Sequence, residues 1–231
     1  MRNIIKKAVC SLLVIVFIIS SANVAFAVEF EYPERQLMYP KRYNASLTNV
    51  DGLNAYFDLK KFNDYMVEQL YMVDGTIEKG VIDLSQFSIP GSKTEDMAEL
   101  IWYNSPELFP INGMAFSVET GVNPSAPNQE YIDALYFSSP YTQEESKKMH
   151  TKMVSNAEVL LYGVKNNSSL SELEKALILH DRLISFNEYD YENYESGVNN
   201  IPDESFNAYG ALGLGVSVCM GYALAYDYLL E

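Results

Sequence analysis

SFNAYGALGLGVSVCMGYALAYDYLL, residues 205–230, sets a cysteine at a change of backbone pattern. Before it, Val216 and Val218 favour extended chain; after it, Tyr222, Ala223, Tyr226 and Leu230 recur at helical spacing along one face. The pattern predicts a helix that starts at Cys219. A helix start offers backbone N–H groups without intrahelical partners and a partial positive charge, and both favour a thiolate. On position alone two readings stay open: a nucleophile, or the small buried hydrophobe that most free cysteines are.

The N-terminus narrows the choice. Residues 1–27 read as a secretory signal, with basic Arg2, Lys6 and Lys7, an apolar run from Ala8 to Ile19 and the small-residue cleavage site Ala25-Phe26-Ala27. The run is too short to span a bilayer. Cys10 lies inside it and leaves with it, so Cys219 is the cysteine expected in the mature chain, with no intrachain disulfide open to it. In an oxidising compartment such a thiol is buried, paired with another molecule, or reactive. The expected location is therefore secreted or cell-surface, with no membrane contact after signal cleavage.

Charge excludes other partners. The chain carries 16 Lys and Arg, three of them in the signal, against 31 Asp and Glu. Such an acidic surface repels nucleic acid and anionic lipid, so neither is expected as a partner. With 18 tyrosines and 11 phenylalanines there is material for a core, which argues against extensive disorder.

Residues 28–45 show no sustained period and read as a leader or linker. Residues 46–140 read as a small α+β unit. Asp58 caps a helix from Leu59 to about Val73, with Leu59, Phe62, Met66, Leu70 and Val73 as its apolar stripe. Ser92 and Glu95 are spaced as a capping box for a helix to Tyr103, with Met97, Leu100 and Ile101 inward. Two strands, Met114–Glu119 and Tyr131–Phe137, are expected to pair antiparallel across a turn-rich segment. Residues 141–165 read as a linking helix opened by the pair Thr142 and Glu145, with Met149, Met153, Ala157 and Leu160 inward.

Residues 168–231 form the second unit. Ser171 and Glu174 cap a helix through Ser185, and Leu173, Leu177, His180 and Ile184 share one of its faces. His180 reads either as a core histidine or as the base of a Cys–His pair. His150, flanked by Lys148 and Lys152, reads as solvated. Residues 187–204, rich in tyrosine and acids, read as a surface loop that either connects or lines a cleft. The histidines and Cys219 have no metal-ligand spacing, so no metal or other cofactor is expected.

Three segments together resemble bacterial secreted proteins with a transglutaminase-like domain. LSELEKALILHDRLISFNEYDYENY (170–194) resembles the helix and loop that open the domain, and ESFNAYGALGLGVSVCMGYALAYDYLL (204–230) resembles the segment carrying its nucleophile. WYNSPELFP (102–110) and SPYTQEES (139–146) are similar to the region that often precedes it. The resemblance implies a papain-like α+β core in which Cys219 is the nucleophile, paired with a histidine and an acid on later strands. It implies acyl transfer or amide hydrolysis on protein or peptide substrates, including cell-wall peptides. Met220 departs from the polar residue, commonly Gln, that more often follows the cysteine in the family.

The expected protein is thus α+β: N-terminal helices with a short antiparallel sheet, then the first, mostly helical part of a papain-like core. Tyr209 is expected either to pack or to line the oxyanion pocket. Since Glu231 falls within the nucleophile helix and both histidines precede it, this chain is expected to be a piece of a longer enzyme and incompetent by itself. The rival expectation is a non-catalytic cell-surface module that binds peptide or carbohydrate on the same scaffold.

Overall fold

The computed structural model describes Leu53 and residues 55–111, 117–123 and 126–231. The expected signal, the expected leader and the start of the strand expected from Met114 lie outside the described residues. The described residues belong to one compact unit. It mixes helices with a small four-stranded antiparallel sheet and a separate two-stranded parallel pair, and holds two apolar clusters.

The first cluster begins with α1, Leu59–Tyr71, where Asp58 accepts from the Lys61 N–H at 3.0 Å and so satisfies one free donor of the first turn. Phe62, Met66 and Leu70 are buried at the 3–4 residue spacing that the stripe predicts, while Val73 lies beyond the helix and is exposed. A short helix α2, Thr76–Lys79, leads into β1, Val81–Asp83, and β2, Ile89–Pro90. Helix α3 spans Thr94–Tyr103 and buries Met97, Leu100 and Ile101. The Ser92–Glu95 box does not form: Lys93 is the cap residue, and the Thr94 hydroxyl donates to the Gly91 carbonyl at 2.8 Å instead. A 3-10 turn at Gly91–Lys93 occupies the positions that the box requires.

Strand β3, Ser117–Asn123, pairs antiparallel with β4, Ala126–Tyr136, which is the hub of the sheet. Tyr136 faces Val81 of β1 and Ser117 of β3 in register, so β1 and β3 take opposite edges of β4. Ile89 of β2 pairs with Ile132 further along the edge used by β1. Ile82, Ile89, Ile132 and Leu135 are all buried against α1 and α3.

Helix α4, Gln143–Leu161, joins this cluster to the second. Its capping box is present in full, with Thr142 accepting from the Glu145 N–H and Glu145 accepting from the Thr142 N–H. Gln143, buried in its first turn, donates from Nε2 to the carbonyls of Leu70 and Val73 and accepts from the Ile77 N–H at 3.0 Å. One side chain thus satisfies backbone groups at the end of α1 and the start of α2. Downstream, Met153, Ala157 and Leu160 of α4 are buried in the second cluster.

Helix α5, Glu172–Phe186, starts at the second complete box, Ser171 with Glu174. The face expected to be buried on it is wrong: Leu179 and Leu183 are buried, whereas Leu173, His180 and Ile184 are exposed. The helix has two apolar stripes a residue apart, and contact with the C-terminal helix selects the other one. Residues 187–204 are not an irregular loop: they form β5, Glu188–Tyr189, a helix α6, Tyr191–Ser196, and 3-10 turns at Val198–Asn200 and Asp203–Phe206. A π-helix, Tyr209–Leu214, then precedes β6, Val216–Ser217, and α7, Cys219–Leu230. The wide π turn fits here because Gly210 lies against the Glu204 carbonyl, which an added Cβ would approach to 2.0 Å.

Candidate active site

Cys219 is the first residue of α7, a helix of 12 residues. Val218 is its cap residue, in extended conformation and with no side-chain hydrogen bond to the first turn, so the cap side chain satisfies none of the N–H groups at the helix end. The thiol is exposed. That removes the buried-hydrophobe reading of this cysteine and leaves it accessible to a substrate.

The cysteine is held in place by a joint between β5 and β6, which pair parallel with Glu188 opposite Val216 and Tyr189 opposite Ser217. The joint is polar and buried. Asn187 donates to the Ser217 hydroxyl at 2.7 Å, and the Tyr222 hydroxyl donates to the Asn187 carbonyl. Asp190 accepts from the Ser205 hydroxyl at 2.6 Å and from Asn193 Nδ2, and Ser205 accepts from the Val218 N–H at 2.9 Å through its carbonyl. The Ser205 hydrogen bond holds the Asp190 carboxyl below the usual aspartate range, with burial opposing it. Gly221 lets α7 come this close: a Cβ there would stand 2.6 Å from Ser217 Cβ and 2.7 Å from the Ser205 carbonyl oxygen.

Four tyrosines cluster around Tyr189 of β5 and Tyr222 of α7. Tyr189 stacks on Tyr222 at 6.4 Å and 19°, and touches Tyr191 and Tyr194 at centroid distances of 4.7 and 5.9 Å. Burial pushes the Tyr189 phenol up, as does negative charge on Cys219, and the backbone N–H of Cys219 beside the phenol pulls the other way. Tyr189 thus lies close to the start of α7. The sequence reading missed it inside the presumed loop; the alternation of Tyr189 and Tyr191 with acidic residues was the available signal.

The histidines lie elsewhere. His180 Nδ1 is paired with Asp181 at 2.9 Å, and its ring meets the edge of Tyr226 at 6.0 Å, two helical turns along α7 from Cys219. It is neither a core histidine nor a partner of the thiol. His150 is half-buried, not solvated: Nε2 is 2.8 Å from Glu107 Oε1, and the ring stacks on Tyr71 at 4.0 Å. Tyr209 is buried and stacks on Phe109 at 5.3 Å within the second cluster. Its packing role holds.

On the next face of α7, Met220 and Leu224 line a cavity of about 390 Å³ between the two apolar clusters. Trp102, Phe109 and Phe206 form its other apolar walls. Among the described residues no group of three His, Cys, Asp or Glu converges as metal ligands, and no helix is long and apolar enough to cross a membrane. No protein-family model matches the chain, and no curated protein or solved structure matches it either. The likeness to transglutaminase-like domains stands on the quoted residues alone.

Proposed function

We propose that Cys219 is the nucleophile of a transglutaminase-like acyl transfer on protein or peptide substrates, cell-wall peptides included, and that the protein acts outside the cell or at its surface. The observation that carries the reading is an exposed thiol on the first residue of a helix with no side-chain cap, fixed by a buried polar joint. The papain-like core is part of the same proposal. In it, Cys219 Sγ attacks a carboxamide carbon, the C–S bond forms as the C–N bond breaks, and ammonia or an amine leaves with a proton. The thioester then passes to an amine or to water. First-turn N–H groups of α7 and the Tyr189 hydroxyl supply donors for the carbonyl oxygen as charge develops on it.

The proton is the weak point of this chain. A leaving amine requires a general acid, and neither histidine reaches the thiol. The family's histidine and acid follow the cysteine, and this chain carries no histidine after His180. The chain by itself is therefore proposed to form a thioester only from an activated donor. A p-nitrophenyl ester is such a donor, because p-nitrophenolate leaves without a proton. Incubation with N-acetylglycine p-nitrophenyl ester should add one acyl group to Cys219 by mass spectrometry, up to about fivefold faster than to an unstructured cysteine peptide, as a helix-end contribution of 0.3–1 kcal/mol predicts. Cys219→Ala should give none. A rate equal to that of the peptide would reject the nucleophile.

A second reading, a binding module for peptide or carbohydrate, is favoured by one observation: Tyr191 and Tyr194 are exposed beside a thiol that no histidine reaches. Saturable sugar or peptide binding that survives Cys219→Ala, without acylation of the wild type, would select it.

A further inference from the structure

We propose that the cavity beside α7 is a subsite for an aromatic side chain, best a tyrosine, of the peptide whose carbonyl reaches Cys219. The inference rests on the acyl-transfer reading for the word substrate, but the site is argued from its own walls. Trp102, Phe109, Phe206, Met220 and Leu224 make it apolar on several sides, and its volume of about 390 Å³ lies at the lower end of the range of ligand pockets, about 300–1,000 Å³. That leaves room for one ring together with the peptide backbone that carries it.

The wall contains one polar anomaly. Ser105 lines the cavity, is 3% exposed, and its hydroxyl has no hydrogen-bond partner. It stands at the cap position of the Pro106–Leu108 turn, where a serine oxygen ordinarily accepts from the next turn's N–H, yet it makes no such bond. A buried hydroxyl without a partner is rare in folded proteins and marks a place where a ligand or water completes the count. A phenol is a matching partner: its ring fits the apolar walls, and its O–H can both give and take a hydrogen bond. Charge restricts the occupant further. Asp203 also lines the cavity of a chain with a formal net charge of −15, which disfavours a terminal carboxylate or an acidic neighbour. The ring therefore belongs to an internal residue of a neutral or basic peptide.

Position ties the cavity to the thiol. Met220 follows Cys219 directly, and Leu224 lies one turn below Met220 on the same face, so the subsite opens one residue away from Sγ around the helix. Met220, the departure from the family pattern, becomes the wall that makes the subsite apolar.

Trp102 is the one tryptophan in the sequence, so its emission reports on this cavity alone. The full chain carrying Cys219→Ala is titrated with N-acetyl-Tyr-Gln-amide, N-acetyl-Phe-Gln-amide and N-acetyl-Ala-Gln-amide. Saturable emission changes are expected with the tyrosyl and phenylalanyl peptides and none with the alanyl peptide. The tyrosyl peptide should bind about fivefold tighter than the phenylalanyl one, as one hydrogen bond implies, and Ser105→Ala should remove that difference. Ser105→Ala deletes an unpaired buried hydroxyl and should leave the melting temperature unchanged or raised, so the variant is foldable. An unsaturable response, or equal binding of the alanyl peptide, would overturn the subsite. The two proposals fail separately: binding here without acylation of the wild type refutes acyl transfer and keeps the cavity, while acylation without aromatic binding does the reverse.

Discussion

At Gly221 the ordinary effect of a helical glycine is reversed. In an exposed helix interior, Gly→Ala stabilises by about 0.5–1 kcal/mol. Here a Cβ would press on Ser217 Cβ and on the carbonyls of Ser205 and Asn207, so Gly221→Ala should destabilise by about 1–3 kcal/mol, the cost of overpacking. A urea melt would read this as a lowered midpoint with unchanged slope, and a raised midpoint would refute the close contact. Asp190 carries a pH signature. Its folded pKa is depressed, chiefly by the Ser205 hydroxyl, so its contribution is fully present above the ordinary aspartate value near 4 and is lost as pH falls through the lower folded value. Asp190→Asn should therefore be less stable than the wild type at pH 7, and the gap should narrow in melts taken between pH 4 and pH 2. A gap that stays constant with pH would show that the carboxylate charge is not what the joint uses. Cys219 itself was legible at this scale. Its neighbour Tyr189 was not, because the two meet through strand pairing and not through spacing along the chain.

Among elements, those legible in the sequence carry their own start signals. Thr142–Glu145 and Ser171–Glu174 both close as full boxes, because four consecutive residues are enough to decide them. Ser92–Glu95 has the same spacing and fails, since a 3-10 turn takes its first position. Strands β1 and β2 escaped notice: they are 3 and 2 residues long, and their partner β4 lies about fifty residues further on. The stripe on α5 was read one residue off because the sequence offers two and only packing chooses. An element-scale prediction comes from Gln143. Gln143→Leu keeps the volume but leaves the Leu70 carbonyl and the Ile77 N–H without their partner and removes one of two donors from the Val73 carbonyl, which should cost about 2–4 kcal/mol. A loss below about 1 kcal/mol by chemical denaturation would mean that water replaces the side chain.

For the whole molecule, composition correctly signalled enough apolar material for a core, and the mixed α and β content follows from the periods of the segments. What composition could not show is that the material divides into two clusters, since that depends on which faces of α3, α4 and α7 turn toward each other. The cavity exists because of that division: neither cluster closes the space between Trp102 and Leu224. Its walls come from three stretches far apart in sequence, residues 101–111, Pro140 with Tyr141, and Asp203 to Leu224, and only folding brings them together.

Helix α4 holds both clusters at once. Gln143 ties its first turn to α1 and α2, His150 stacks on Tyr71 midway, and Arg182 of α5 donates to the Leu160 and Tyr162 carbonyls at its far end. A 19-residue helix is on the order of 30 Å long, and pinned at both ends it behaves as a strut. The spacing of the two clusters, and with it the width of the cavity, is then set by a stiff rod and not by a hinge. Widening the cavity requires the rod to bend or one of its pins to release, so its interior amides should exchange with solvent as one cooperative block.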